Sequence, residues 1–181
     1  MAIKEDYEKL YNEIKQEFFD FEIISKNDSS LMKAIDVCLK IITFGQMETF
    51  MEDFITTLGN KVYVPETWQN GSLVSKIEIL RHERVHMRQA RKYGRILFSI
   101  MYLLLPLPGG LAYFRKKFEM EAYEESMRTL HMYMGAGALN DRLKEHITKQ
   151  FTSANYFWMW PFRKSVEAWF DETAKKILAG S

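Results

Sequence analysis

His82-Glu83-Arg84-Val85-His86 sets two imidazoles four residues apart, with a carboxylate beside the first. Residues four apart lie one above the other on an α-helix, so both rings can close on a single metal ion. Glu83, turned by one residue, reaches a water on that ion without becoming a ligand. A zinc ion held by two imidazoles and a carboxylate keeps a fourth position for water, whose pKa it lowers to about 7. Glu83 is then the base: it takes the proton of the attacking water and passes it to the leaving amine of a peptide bond. Two histidines do not complete such a site, so a third ligand has to come from elsewhere in the chain.

The motif needs a helix. Ser75-Lys76-Ile77-Glu78 reads as a capping box that starts one, and Gly94 stops it after Tyr93. On that helix Ile79, His82, His86, Ala90 and Tyr93 share a face, which is expected to point inward. Arg81, Arg84, Arg88, Arg91 and Arg95 form a basic stripe away from it, expected to be solvated. A second helix is expected over Phe118 to Tyr133, ending at Met134-Gly135-Ala136-Gly137. It opens with Phe118-Glu119-Met120-Glu121-Ala122-Tyr123-Glu124, the best source of a third ligand.

Together the HExxH helix, a short Gly/Pro-containing connection and the Phe118–Tyr123 run resemble the gluzincin metallopeptidases, in which a second helix brings a glutamate in an ExxA(D/Y)-like setting. The likeness covers about Val62 to Arg128 and is closest to the minimal gluzincin-like proteins of bacteria and phages. It implies a zincin-like helical domain, a Zn2+ cofactor and a peptide or protein substrate, with His82, His86 and Glu119 as metal ligands. Glu121 projects about 200° from Glu119 on an ideal helix, so only one of the two faces the metal, and alignment with the family pattern selects Glu119. Tyr123 stands where longer members carry an aspartate. One turn beyond Glu119, it is a candidate catalytic residue that orients a ligand histidine or approaches the oxyanion. Gluzincins also place an edge strand beside the zinc, which makes Lys61, Val62, Tyr63 and Val64 a candidate substrate edge, with a core strand as the alternative. His131, further along the glutamate-bearing helix, is a lesser candidate for oxyanion donor.

These elements sit within a chain that reads as mainly α, in the α+β class, with a small β-hairpin or sheet beside the active-site helix. Tyr7, Leu10, Tyr11, Ile14, Phe18 and Phe21 recur at helical spacing between Asp6 and Phe21. Lys26 to Ser30 caps a second helix running from about Leu31 into the mid-forties. Ile55 to Leu58 and Lys61 to Val64, on either side of Gly59-Asn60, predict a hairpin and give the chain's only good strand signal. Helices over about Asn140 to Phe151 and Arg163 to Leu178 flank an aromatic loop, Tyr156 to Phe162, expected to pack the core.

At 181 residues, 47% hydrophobic and 27% charged, the chain suits one folded domain spanning 1–181, with a metallopeptidase core at about 53–134 and helical additions at both ends. A net charge of +1 provides no overall field for nucleic acid, and none is expected as a partner. The single Cys38 excludes an internal disulfide or a thiol zinc knuckle, and is expected to pack as a small apolar residue. Peptide deformylases also carry HExxH but use a cysteine as third ligand, and Cys38 lies far upstream without the expected companion motif. The start of the chain has no secretory pattern, so a cytoplasmic protein of bacterial or phage origin is the default. Ile96 to Phe114 approaches the length of a membrane span, but Leu105-Pro106-Leu107-Pro108-Gly109-Gly110 interrupts it. A buried helix end followed by a turn is expected there, and membrane contact is the lesser alternative. Two rival functions remain open: a zinc hydrolase of other amides or esters, and a non-catalytic, metal-stabilised binding protein.

Overall fold

Apolar spacing builds the first helix, α1 (Ala2–Glu17), which buries Leu10 and Ile14. The computed structural model describes residues 2–42, 44–45, 49–104, 112–153 and 159–180. The helix ends four residues before the predicted Phe21, because the chain turns to begin a strand the sequence reading missed. Phe18 and Phe21 are still buried, Phe21 meeting Tyr11 edge-on at 5.4 Å. That strand, β1 (Glu22–Ser25), runs parallel to β3 (Lys61–Val64), while β2 (Thr56–Leu58) pairs antiparallel to β3 through the predicted hairpin. Gly59 takes φ +64 in the two-residue connection, a conformation that glycine adopts without steric cost.

The strand order is β1-β3-β2. Lys61 to Val64 is therefore the central strand, its backbone bonded on both sides and Val62, Tyr63 and Val64 buried. This corrects the expectation of a substrate edge at Lys61, Val62, Tyr63 and Val64: a strand paired on both sides has no backbone groups left for a peptide.

Between β1 and α2 (Ser30–Ile42), the Ser29 hydroxyl accepts the Met32 N–H at 3.2 Å, capping the helix as predicted. Lys26, in the intervening 3₁₀ turn, is fully buried. Its ammonium donates to the Phe50 carbonyl at 2.6 Å and lies 3.6 Å from the centre of the Phe50 ring, on the short helix α3 (Phe50–Asp53). Burial pushes its pKa down to about 8, with Asp36 acting in the opposite direction. Cys38 is exposed on α2, contrary to the expectation that it packs as an apolar residue; Met32 and half-buried Ile35 and Leu39 turn to the core instead.

The motif helix is α4 (Leu73–Tyr93). Its cap is Ser72, whose hydroxyl accepts the Ser75 N–H at 3.1 Å, so the helix starts a few residues earlier than the Ser75 capping box predicts. It stops at Gly94, which takes φ +82. Ile77, Leu80, Met87 and Ala90 are buried along with His86, while the predicted inward residues Ile79, His82 and Tyr93 are half-buried. Of the arginine stripe, Arg88, Arg91 and Arg95 are exposed as expected, and Arg81 and Arg84 are half-buried.

After Gly94 come α5 (Arg95–Ser99) and a π-helical turn, Ile100–Leu104. The long helix α6 (Tyr113–Met134) starts before the predicted Phe118 and ends at Gly135, with φ +77. Then α7 (Asp141–Thr152), capped by the Asn140 side chain on Leu143 N–H, and α8 (Arg163–Leu178) follow as predicted. Met127, Ile147, Phe151, Met159, Val166 and Phe170 form a core with half-buried Trp160 and Trp169 packed on it. Of the aromatic loop, Met159 and Trp160 serve that core and Phe162 is exposed, while Tyr156 to Trp158 lie outside the described residues. The Leu105 to Gly110 turn lies outside them too. Among the described residues no helix is long and apolar enough to cross a membrane.

The architecture is mainly α with a small three-stranded sheet. Where the sequence reads as a single domain, the chain divides into two compact units, residues 1–83 and 84–181, with the division inside the continuous helix α4.

Candidate metal centre

Helix geometry alone places His82 one turn before His86 on α4. His86 is buried, and its Nε2 lies 3.7 Å from Oε2 of Glu119, which α6 carries at 4% exposure. Each of His82, His86 and Glu119 offers a ligand atom, and these atoms lie within 4.8 Å of one another. Ligands on a tetrahedral zinc at bonds of about 2.0–2.1 Å stand roughly 3.3–3.5 Å apart, so the set needs only a small contraction to fit that ion. Glu121 is exposed and is not part of this set; its carboxylate accepts from the Gln89 amide at 2.9 Å.

The tautomer of His86 follows from its neighbours. Gln89 Nε2 donates to the Phe118 carbonyl at 3.1 Å and to the Glu121 carboxylate at 2.9 Å, two groups that only accept. That fixes the amide orientation and puts Gln89 Oε1 3.0 Å from His86 Nδ1. Nδ1 must therefore carry a proton, which leaves Nε2, the nitrogen nearer Glu119, as the one that can ligate a metal. In histidine-ligated metal sites a carboxylate often gives the ligand ring a fixed acceptor, and Gln89 gives His86 a fixed acceptor of the same kind. Sequence reasoning missed it; its place three residues after His86, one turn along the same helix, was the available signal.

A second missed residue is Tyr102, in the π-helical turn, whose hydroxyl donates to Glu119 Oε1. Its ring meets His86 edge-on at 5.7 Å, and the Arg115 guanidinium lies 5.0 Å from its centre. Phe98 lies against His86, Tyr102 and Phe118, so the half-buried rings of Phe98 and Tyr102 line this side of the candidate ligands. Inserting a π turn shifts the side-chain positions that follow it, a distortion common at functional sites.

Within the first unit, the Thr57 hydroxyl on β2 donates to Oε2 of Glu83 at 2.8 Å. Glu83 is 8% exposed, and the bond fixes one carboxylate oxygen while the other stays available for a proton. Thr57, too, was not foreseen.

Tyr123 sits one turn beyond Glu119 as expected, but its ring packs against the α6–α7–α8 core, 5.7 Å from Phe151. Tyr102 is a tyrosine whose hydroxyl meets the candidate ligand Glu119. His131 lies twelve residues past Glu119 on α6, about 18 Å along the axis, too far to touch an oxyanion at the ligands.

Comparison with known protein families, curated proteins and solved structures gives no match for this chain.

Proposed function

We propose that the protein is a zinc-dependent, gluzincin-like metallopeptidase. The observation that carries this reading is the convergence of His82, His86 and Glu119, with His86 held by Gln89 in the tautomer that ligation needs. A structural zinc site has no use for an acidic residue beside its ligands, whereas Glu83 is present, nearly buried and oriented by Thr57.

In this reading His82, His86 and Glu119 hold the zinc, and Tyr102 holds Glu119 in its ligating orientation. Zinc bound there supplies Lewis acidity toward the scissile carbonyl and lowers the pKa of the attacking water. Glu83 accepts the water's proton and returns it to the leaving amine, and Thr57 keeps its carboxylate aimed through both transfers. An extended peptide adds to β2, the edge strand that carries Thr57, through main-chain bonds that demand little of its side chains. The lone, exposed Cys38 suits a reducing compartment, and we assign the activity to the cytoplasm.

The test is incubation of the zinc-reconstituted protein with a mixed peptide library, read by mass spectrometry. Cleavage is expected, and Glu83→Gln should lower turnover by about 10²–10⁴-fold while zinc is retained. Turnover confined to small amides or esters would move the reading to a non-peptidase hydrolase. Cleavage unaffected by Glu83→Gln would overturn it.

A further inference from the structure

From Arg84 to Phe118 the sequence contains no Asp or Glu and eight Lys or Arg, in a chain whose net charge is only +1. The centre of this basic run is apolar, and of its described residues Met101 and Ala112 are buried while others face solvent, where the sequence reading expects a buried helix end. Phe98 and Tyr102 turn toward Phe118 and Arg115 of α6, and so occupy the inner face of α5 and the π turn. The opposite face carries Ile96, Leu97 and Ile100, which are 79%, 51% and 39% exposed. Tyr113 and Phe114, packed edge to face at the start of α6, are 54% and 41% exposed. Polar residues on α5 are confined to its ends, Arg95 and Ser99, both exposed, so the exposed apolar side chains stand directly beside a cation.

We propose that this face docks on the surface of an anionic lipid bilayer. Aliphatic and aromatic side chains enter the boundary between headgroups and acyl chains, and cations beside them meet the negative headgroups. The exposed cations flank the apolar residues on both sides in sequence: Arg91, Lys92 and Arg95 before them and Lys117 after. Lys116 lies along the same aromatic ground, its ammonium 3.8 Å from the Trp160 ring centre and 5.9 Å from that of Tyr113. The arrangement lies on a membrane and does not span one. A nucleic acid would use the cations but gain nothing from exposed Ile96, Leu97 and Ile100. A second copy of the chain would oppose cation to cation in a twofold contact.

The experiment is sedimentation of the full-length protein with vesicles of phosphatidylcholine alone or of phosphatidylcholine with phosphatidylglycerol, at low and high salt. Binding to the anionic vesicles is expected, weakening as salt rises, with little binding to the neutral ones. Arg91→Glu with Arg95→Glu should lower partitioning by at least about tenfold. Ile96→Ser with Leu97→Ser should lower it similarly, and because all four residues are exposed, the circular dichroism spectrum should not change. Absence of binding to anionic vesicles at low salt overturns the proposal. So does binding that both double variants leave intact, or a face that instead drives self-association or binding to DNA or RNA without any binding to vesicles.

Discussion

Lys26 and Glu119 are both ionisable side chains removed from water, at 0% and 4% exposure, yet their surroundings have opposite characters. Around Lys26 the fold assembles what a buried cation needs: the Phe50 carbonyl, the face of the Phe50 ring, and Asp36 acting through the field. The arrangement is self-contained. Around Glu119 the fold gathers His86, whose Nδ1 is held by Gln89, and His82, so two imidazoles and a carboxylate converge on one point. The Tyr102 hydroxyl donates to Glu119 Oε1. A buried charge that serves the fold brings its counter-group with it, whereas converging ligand atoms are stabilised by a cation from outside.

The comparison is sharpest in thermal unfolding with zinc. At zinc a thousandfold above its Kd, the wild type should gain about 4 kcal/mol of stability, and Lys26→Met should gain the same increment. His82→Ala should gain almost nothing, and an equal gain in that variant would erase the distinction between the two regions. Gln89→Leu tests whether the group behind His86 matters: zinc affinity should fall about 10–100-fold, with a smaller loss in Gln89→Glu, which keeps an acceptor for Nδ1. Affinity unchanged in Gln89→Leu would remove the tautomer argument.

For Lys26 the effect is on pH dependence. Its folded pKa is about 8 against an ordinary 10.5, so between these values the unfolded chain binds more protons than the folded one. Stability should rise with pH across that window, by up to about 1.4 kcal/mol per pH unit, and this contribution should be flat below it. Denaturant midpoints for Lys26→Met should lack the rise. The smallest expected effect belongs to Thr57→Val, which removes one hydrogen bond to Glu83 and should lower kcat about fivefold with zinc content unchanged.

What could be read from the sequence was local. Gly94 and Gly135 end α4 and α6 because a glycine at positive φ leaves the helical path wherever it stands, and Asn140 caps α7 with its own side chain. The spacing of His82 and His86 needs nothing beyond one helix. What escaped depends on distant partners. Glu22 to Ser25 becomes a strand only by pairing parallel to Lys61 to Val64, and that pairing turns the expected substrate edge into the middle of the sheet. Ser72 rather than Ser75 caps α4, a choice between two serines one turn apart that local chemistry does not decide. Thr57 and Tyr102 reach Glu83 and Glu119 across 26 and 17 residues, beyond the range of any periodicity. The exposure of Ile96 and Leu97 escaped for a related reason: an apolar run looks the same in sequence whether it faces a core or solvent.

The most direct test of the central claim is elemental analysis of the full-length chain after zinc reconstitution and removal of loosely bound metal, beside His86→Ala and Glu119→Ala. We expect about one zinc per chain in the wild type and a loss in both variants that keep the wild-type circular dichroism spectrum. Wild-type protein that retains no zinc, or variants that retain it as well as the wild type, would contradict the account.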